Sequence, residues 1–195
     1  MKRVVIICYI LGALIGNAQE TMEELPYTII PPASDSLTPG SVVSRMIDGL
    51  GFRFYWVTDG LTEKNFEYAP GNDGRSIAET VDHIHNLSLT ILRSAQKQVR
   101  DLSEEAPELS IAEKRKVTLM NLKQASDLFR TSEDLAAHKI IFKRDGNISE
   151  FPFWNQINGP IEDAVWHAGQ LVVLRRAAGN PINPKVNVFL GKLND

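Results

Sequence analysis

One turn of an apolar helix separates Asp163 from His167 in "GPIEDAVWHAGQLVVLRRAAGNP", residues 159 to 181. Residues four apart lie one above the other on a helix face, so a carboxylate and an imidazole are held together there. That pair suits a metal site, and it equally suits an ordinary helix-surface ion pair. "TVDHIHNLS" supplies two more imidazoles, His83 and His85, on either side of Ile84. With Ile84 at the centre of a buried stripe, each histidine lies about 100° to one side. Periodicity therefore does not choose between them, and a satisfied boundary histidine is the ordinary fate of either. His138 falls in an irregular stretch and reads as structural or exposed. "GFRFYW" places Arg53, Tyr55 and Trp56 on a third segment. Arg53 and Tyr55 are candidates for binding an anionic substrate group. The plainer alternative is core packing for the aromatics and an acidic partner, Asp48 or Asp59, for the arginine.

Four helices must position these groups. The first, about 41 to 61, places Val43, Met46, Ile47, Leu50, Phe54, Val57 and Leu61 at helical steps. The second, about 76 to 98, opens with Ser76 and Glu79 at capping-box spacing and carries Ile77, Val81, Ile84 and Ile91. The third, about 110 to 131, repeats that signature with Ser110 and Glu113, with an apolar face of Leu122, Ala125, Leu128 and Phe129. Pro160 near the start and Gly179 just past the end bound the last helix, about 160 to 178. Its stripe is Ile161, Ala164, Val165, Ala168 and Val172, with Asp163 and His167 along one edge. Arg175 and Arg176 in its last turns complement the helix dipole. "HKIIFKRDGNISEF" reads as irregular or briefly extended chain around a turn at Asp145, Gly146 and Asn147. The expected fold class is all-α, a four-helix bundle spanning residues 41–195.

Residues 1–18 read as a signal peptide: Lys2 and Arg3 precede an apolar run from Val4 to Ile15, then Gly16 and Ala18 at signal-peptidase spacing. The run is shorter than the roughly 18–20 residues of a membrane span, so no stable span is expected after cleavage. Export to the periplasm or beyond follows. Cys8, the only cysteine, lies inside that run, leaving a mature chain with neither disulfide nor thiol nucleophile. The chain from residue 19 carries 19 Lys and Arg against 24 Asp and Glu, a formal charge of −5. With no basic stripe, nucleic acid is not an expected partner. Residues 19–40 hold prolines at 26, 31, 32 and 39 and read as an extended arm on which Tyr27, Ile29 and Ile30 dock. The turn-rich tail from Gly179 carries Val186, Val188, Phe189 and Leu190, to pack on the bundle or at a homodimer face.

The chain from about Val42 onward resembles the DinB/YfiT-like metal-dependent superfamily, in a branch found in exported bacterial proteins. The resemblance lies in "GLGFRFYWVTDGLTEKNFEYAPGNDGRSIAETVDHIHNLS" and in D-x-x-x-H-x-G-Q leading into "LRR" and "GNP". It implies a metal ligand on the second helix, at His83 in "SIAETVDHI", and a ligand pair on a later helix, at Asp163 and His167. The first member of that pair is more often histidine, and aspartate makes the site harder and more anionic. One divalent ion is implied, with zinc, nickel, manganese and iron all compatible with two imidazoles and a carboxylate. Relatives include thiol-dependent transferases and hydrolases of small molecules. Low-molecular-weight thiols are cytosolic, so hydrolysis, which needs only water, suits an exported chain better. No general base stands out near these residues. A metal-free binding module that keeps the fold is the alternative.

Overall fold

Proline and capping residues set where the first helix begins. The computed structural model describes residues 24–71, 73–105 and 107–195; the signal-peptide reading of residues 1–18 falls outside them. Thr38 caps helix α1 (Pro39–Thr58), with Ser41 bonding back to it and Pro39 in the first turn, where its missing N–H costs nothing. The helix thus begins two residues before the expected start and takes in the last residues of the arm. A four-residue helix, α2 (Glu63–Phe66), follows. Ser76 and Glu79 form the capping box of α3 (Ile77–Ala95), and Ser110 and Glu113 that of α4 (Ile111–Arg130). A short helix, α5 (Trp154–Gln156), runs through a widened π turn (Ile157–Ile161) into α6 (Glu162–Ala177). Pro160 lies in that turn, where its ring and missing N–H prevent regular α-helical bonding.

Helix α1 packs against α4 and α6, and α3 packs against the same two. Four long helices so enclose one core, built from Ile47, Leu50, Phe54, Ile77, Ile84, Ile91, Leu119, Leu122, Phe129, Ile161 and Leu171. Leu128, expected on this face of α4, is instead exposed. On α6 the buried positions are Ala164, Ala168, Leu171 and Arg175, continuing from Ile161, while Val165 and Val172 are only half-buried.

The all-α expectation is corrected by short strands. Strand β1 (Arg100–Asp101) pairs in parallel with β2 (Ile140–Arg144), which pairs antiparallel with β3 (Asn147–Phe151) across the expected turn. Asp145 and Gly146 both take positive φ there, as a tight hairpin requires. Strands β4 (Val186–Asn187) and β5 (Lys192–Leu193) form a small hairpin in the tail. The molecule is mainly helical with two small sheets. Among the described residues, no helix is long and apolar enough to cross a membrane.

The arm docks through Tyr27, which is buried, whereas Ile29 is exposed. Trp56 Nε1 donates to Thr28 O, Arg45 to Pro31 O, and Ile30 N–H to Gly191 O, tying arm, α1 and tail together. Val188, Phe189 and Leu190 of the tail stay exposed.

His85 and His138 are both buried in this framework. Nδ1 of His85 bonds Thr118 Oγ1 on α4 at 3.1 Å. His138 donates from Nδ1 to Ser94 O, so its Nε2 accepts from Ser132 Oγ at 2.8 Å. Burial pushes both imidazoles below the ordinary histidine range. The unfolded chain therefore takes up a proton at each near pH 6.5, while the folded chain holds them neutral to lower pH. Stability from these sites is fully present above the unfolded value and is lost as pH falls through the folded ones. The urea midpoint should drop between pH 7 and pH 5, and a His85→Gln/His138→Gln double variant should show a shallower drop over that interval.

Candidate metal centre

Helix α3 lies between α4 and α6, so its two histidines part company. His85 faces Thr118 of α4, while His83 faces α6 and meets Asp163. His83 Nε2 lies 3.0 Å from Asp163 Oδ2, and His167 Nε2 lies 3.2 Å from Asp163 Oδ1. One carboxylate thus spans two imidazoles contributed by different helices. The rings stand edge to face with centroids 4.5 Å apart. Each of the three residues offers a ligand atom, and these atoms all lie within 4.8 Å of one another.

His167 uses both ring nitrogens. Gln170 Oε1 can only accept, so His167 Nδ1 carries the proton and donates across 2.6 Å. Arg75 Nη1 can only donate, and it approaches Nε2 at 3.4 Å. His167 Nε2 faces the Asp163 carboxylate, a contact that either a proton on Nε2 or a shared metal ion would make favourable. Ligand bonds of about 2.1 Å in a tetrahedral set place donor atoms about 3.4 Å apart; the 3.0 and 3.2 Å spacings here run to different oxygens of Asp163, and the three ligand atoms lie within 4.8 Å, so an ion would draw the side chains slightly together. By type the donor set suits a divalent ion: two imidazoles, one carboxylate, and a glutamine that bonds one imidazole from behind. The side chains of His83, Asp163 and His167 are 29, 38 and 12% exposed, so the set is open on one side.

A cavity of about 470 Å³ opens beside His167, walled by Pro70, Gly74, Arg75, Gln170, Val173 and Leu174. The other two sequence candidates take no part in it. Arg53 donates to Gly49 O in its own helix, and half-burial lowers its guanidinium from the ordinary range. Tyr55 lies beneath the Arg115 guanidinium, 4.6 Å from ring centroid to cation, and edge-on to Trp56. Two residues that sequence reasoning passed over do belong to the site. Gln170 was within reach, three residues after His167 on the same helix face. Arg75 was not, since a loop arginine 92 positions from His167 carries no periodic signal.

Compared with protein-family models, curated proteins and solved structures, the chain matches none.

Proposed function

We propose that this protein is an exported four-helix bundle of the DinB-like kind that binds one divalent metal ion and hydrolyses a small molecule. The observation that carries the reading is the convergence of His83, Asp163 and His167, with Nε2 of His167 turned toward the carboxylate. His83 and His167 would supply neutral nitrogen ligands and Asp163 one anionic oxygen. A divalent ion held there acts as a Lewis acid and makes water nucleophilic near neutral pH. Three protein ligands leave coordination positions free, the pattern of catalytic rather than structural sites. Asp163 offsets one positive charge and Gln170 holds the His167 ring in its ligating tautomer. Zinc, nickel, manganese and iron are all compatible with this donor set.

The test is elemental analysis of the chain from residue 19, purified without chelator or affinity metal. About one equivalent of a divalent metal is expected, and His83→Ala and His167→Ala should each abolish it. Gln170→Leu should keep the ligands yet weaken affinity roughly 10- to 100-fold, as loss of a supporting hydrogen bond does elsewhere. Wild-type protein that takes up no metal after dialysis against zinc, nickel, manganese or anaerobic ferrous iron would leave a metal-free binding module as the better account.

A further inference from the structure

The charges around the triad ask for a third party. Asp163 is the single anion among the three converging residues, so a bound dication would keep a net positive charge of about one. Arg75 adds a second. Its guanidinium stands 3.4 Å from His167 Nε2, and among the described residues no carboxylate forms an ion pair with it. Asp163 lies across His167 from it, and Glu79, whose carboxylate feels the Arg75 charge, is committed to the capping box, accepting from Ser76 N–H at 2.7 Å. Once Nε2 ligates a metal it can no longer accept from Arg75, which frees the Nη1 donor to point into the cavity. Pro70, Val173 and Leu174 wall the other side of that cavity and offer no charge.

We infer that the cavity beside the triad binds a small molecule bearing one oxyanion group, with Arg75 as its anchor and a short apolar body lying on Pro70, Val173 and Leu174. This inference rests on the metal-binding reading above. The volume, about 470 Å³, accommodates a body the size of one ring or a short chain. Arginine suits the task because its planar fork pairs with carboxylate or phosphate through two parallel bonds, and a loop position lets it adjust to either. Arg75 is thus a specificity-determining residue: it selects charged over neutral substrates and holds the reacting end beside the triad.

The experiment is calorimetric titration of metal-loaded protein with benzoate, phenyl phosphate and neutral benzamide, with metal content measured on the same samples. Wild type, Arg75→Met and Arg75→Lys are compared. Arg75 is exposed and its removal empties no core space, so all three should fold. At least one anion should bind better than benzamide. Its affinity should fall roughly 10- to 100-fold in Arg75→Met, the usual loss for a hydrogen bond to a charged group, with partial recovery in Arg75→Lys. The metal equivalent should stay near one in each variant. Tighter phenyl phosphate would assign a phosphate-bearing substrate, and tighter benzoate a carboxylate. Anion binding indifferent to residue 75, or no preference over benzamide, with metal retained, would overturn this inference alone. Wild-type protein without metal would overturn the metal reading and this inference with it.

Discussion

Arg175→Met should lower the melting temperature by about 10 °C. Arg175 lies on α6 at a position in line with Ile161, Ala164, Ala168 and Leu171, and it is 3% exposed. Its guanidinium reaches across to the C-terminus of α1 and donates from Nη1 to the carbonyls of Trp56, Val57 and Asp59. It also donates to the backbone and side-chain oxygens of Asn180 from Nε and Nη2. The last carbonyls of a helix have no partner of their own, and they carry the negative end of its dipole. A cation with five donors meets both needs at once, which is how a buried charge without a carboxylate partner is tolerated. Burial nonetheless pushes the guanidinium down from its ordinary range, so the position costs something. Methionine would fill the space but leave the buried Val57 carbonyl and the part-buried oxygens of Trp56, Asp59 and Asn180 without this donor, a buried unbonded group costing about 1–3 kcal/mol and a part-buried one less. A total near 4 kcal/mol converts to roughly 10 °C for a domain of this size. Lysine should recover little, because a single ammonium does not reproduce the fork. A calorimetric scan of both variants checks this; a shift under about 3 °C in Arg175→Met would mean the carbonyls find water instead.

Asp48→Ala is the second large effect, at about 3 kcal/mol. Asp48 is 1% exposed and accepts three bonds: from Tyr27 Oη at 3.1 Å, Ser126 Oγ at 2.6 Å and Arg130 Nη2 at 3.0 Å. It joins the arm, α1 and α4 through a single carboxylate. Burial, followed by the Asp48 charge, drives the Tyr27 phenol far above its ordinary range, so it stays protonated and donates. Removing the carboxylate leaves the phenol, the Ser126 hydroxyl and the Arg130 charge without their acceptor. Arg130 is partly exposed and relaxes into water, which keeps the cost at the lower end of the usual range. Tyr27 should suffer most. It holds a left-handed backbone, φ +79°, which a non-glycine residue keeps only under constraint. Its ring lies so close over Gly51 that a Cβ there would come within 2.4 Å. Urea unfolding should register the stability loss. Hydrogen exchange at the Ile30 N–H, bonded to Gly191 O, should rise if the arm loosens as this geometry implies. Unchanged protection there would show that Trp56 and Arg45 hold the arm unaided.

Local signals in the chain were enough for the long helices and for half of the site. Ser76 with Glu79 and Ser110 with Glu113 mark helix starts because a cap is an interaction among four consecutive residues. Asp163 and His167 are neighbours by helical geometry alone, whatever surrounds them. The strands were illegible for the opposite reason. All five residues of β3 are exposed, so no alternation marks them, and β1 exists only through pairing with residues more than 40 positions away. His83 and His85 are equivalent by periodicity, and only the placement of α3 between α4 and α6 sends one to Asp163 and the other to Thr118. The phase of α6 was likewise decided in three dimensions. Its buried line passes through Arg175, a position that composition marks as surface, because the carbonyl ends of α1 wait there to be bonded. A helix's own sequence determines what lies along it; which helix end or side chain lies opposite is decided by packing, and at His83, Arg75 and Arg175 that partner is what the role proposed for the residue rests on.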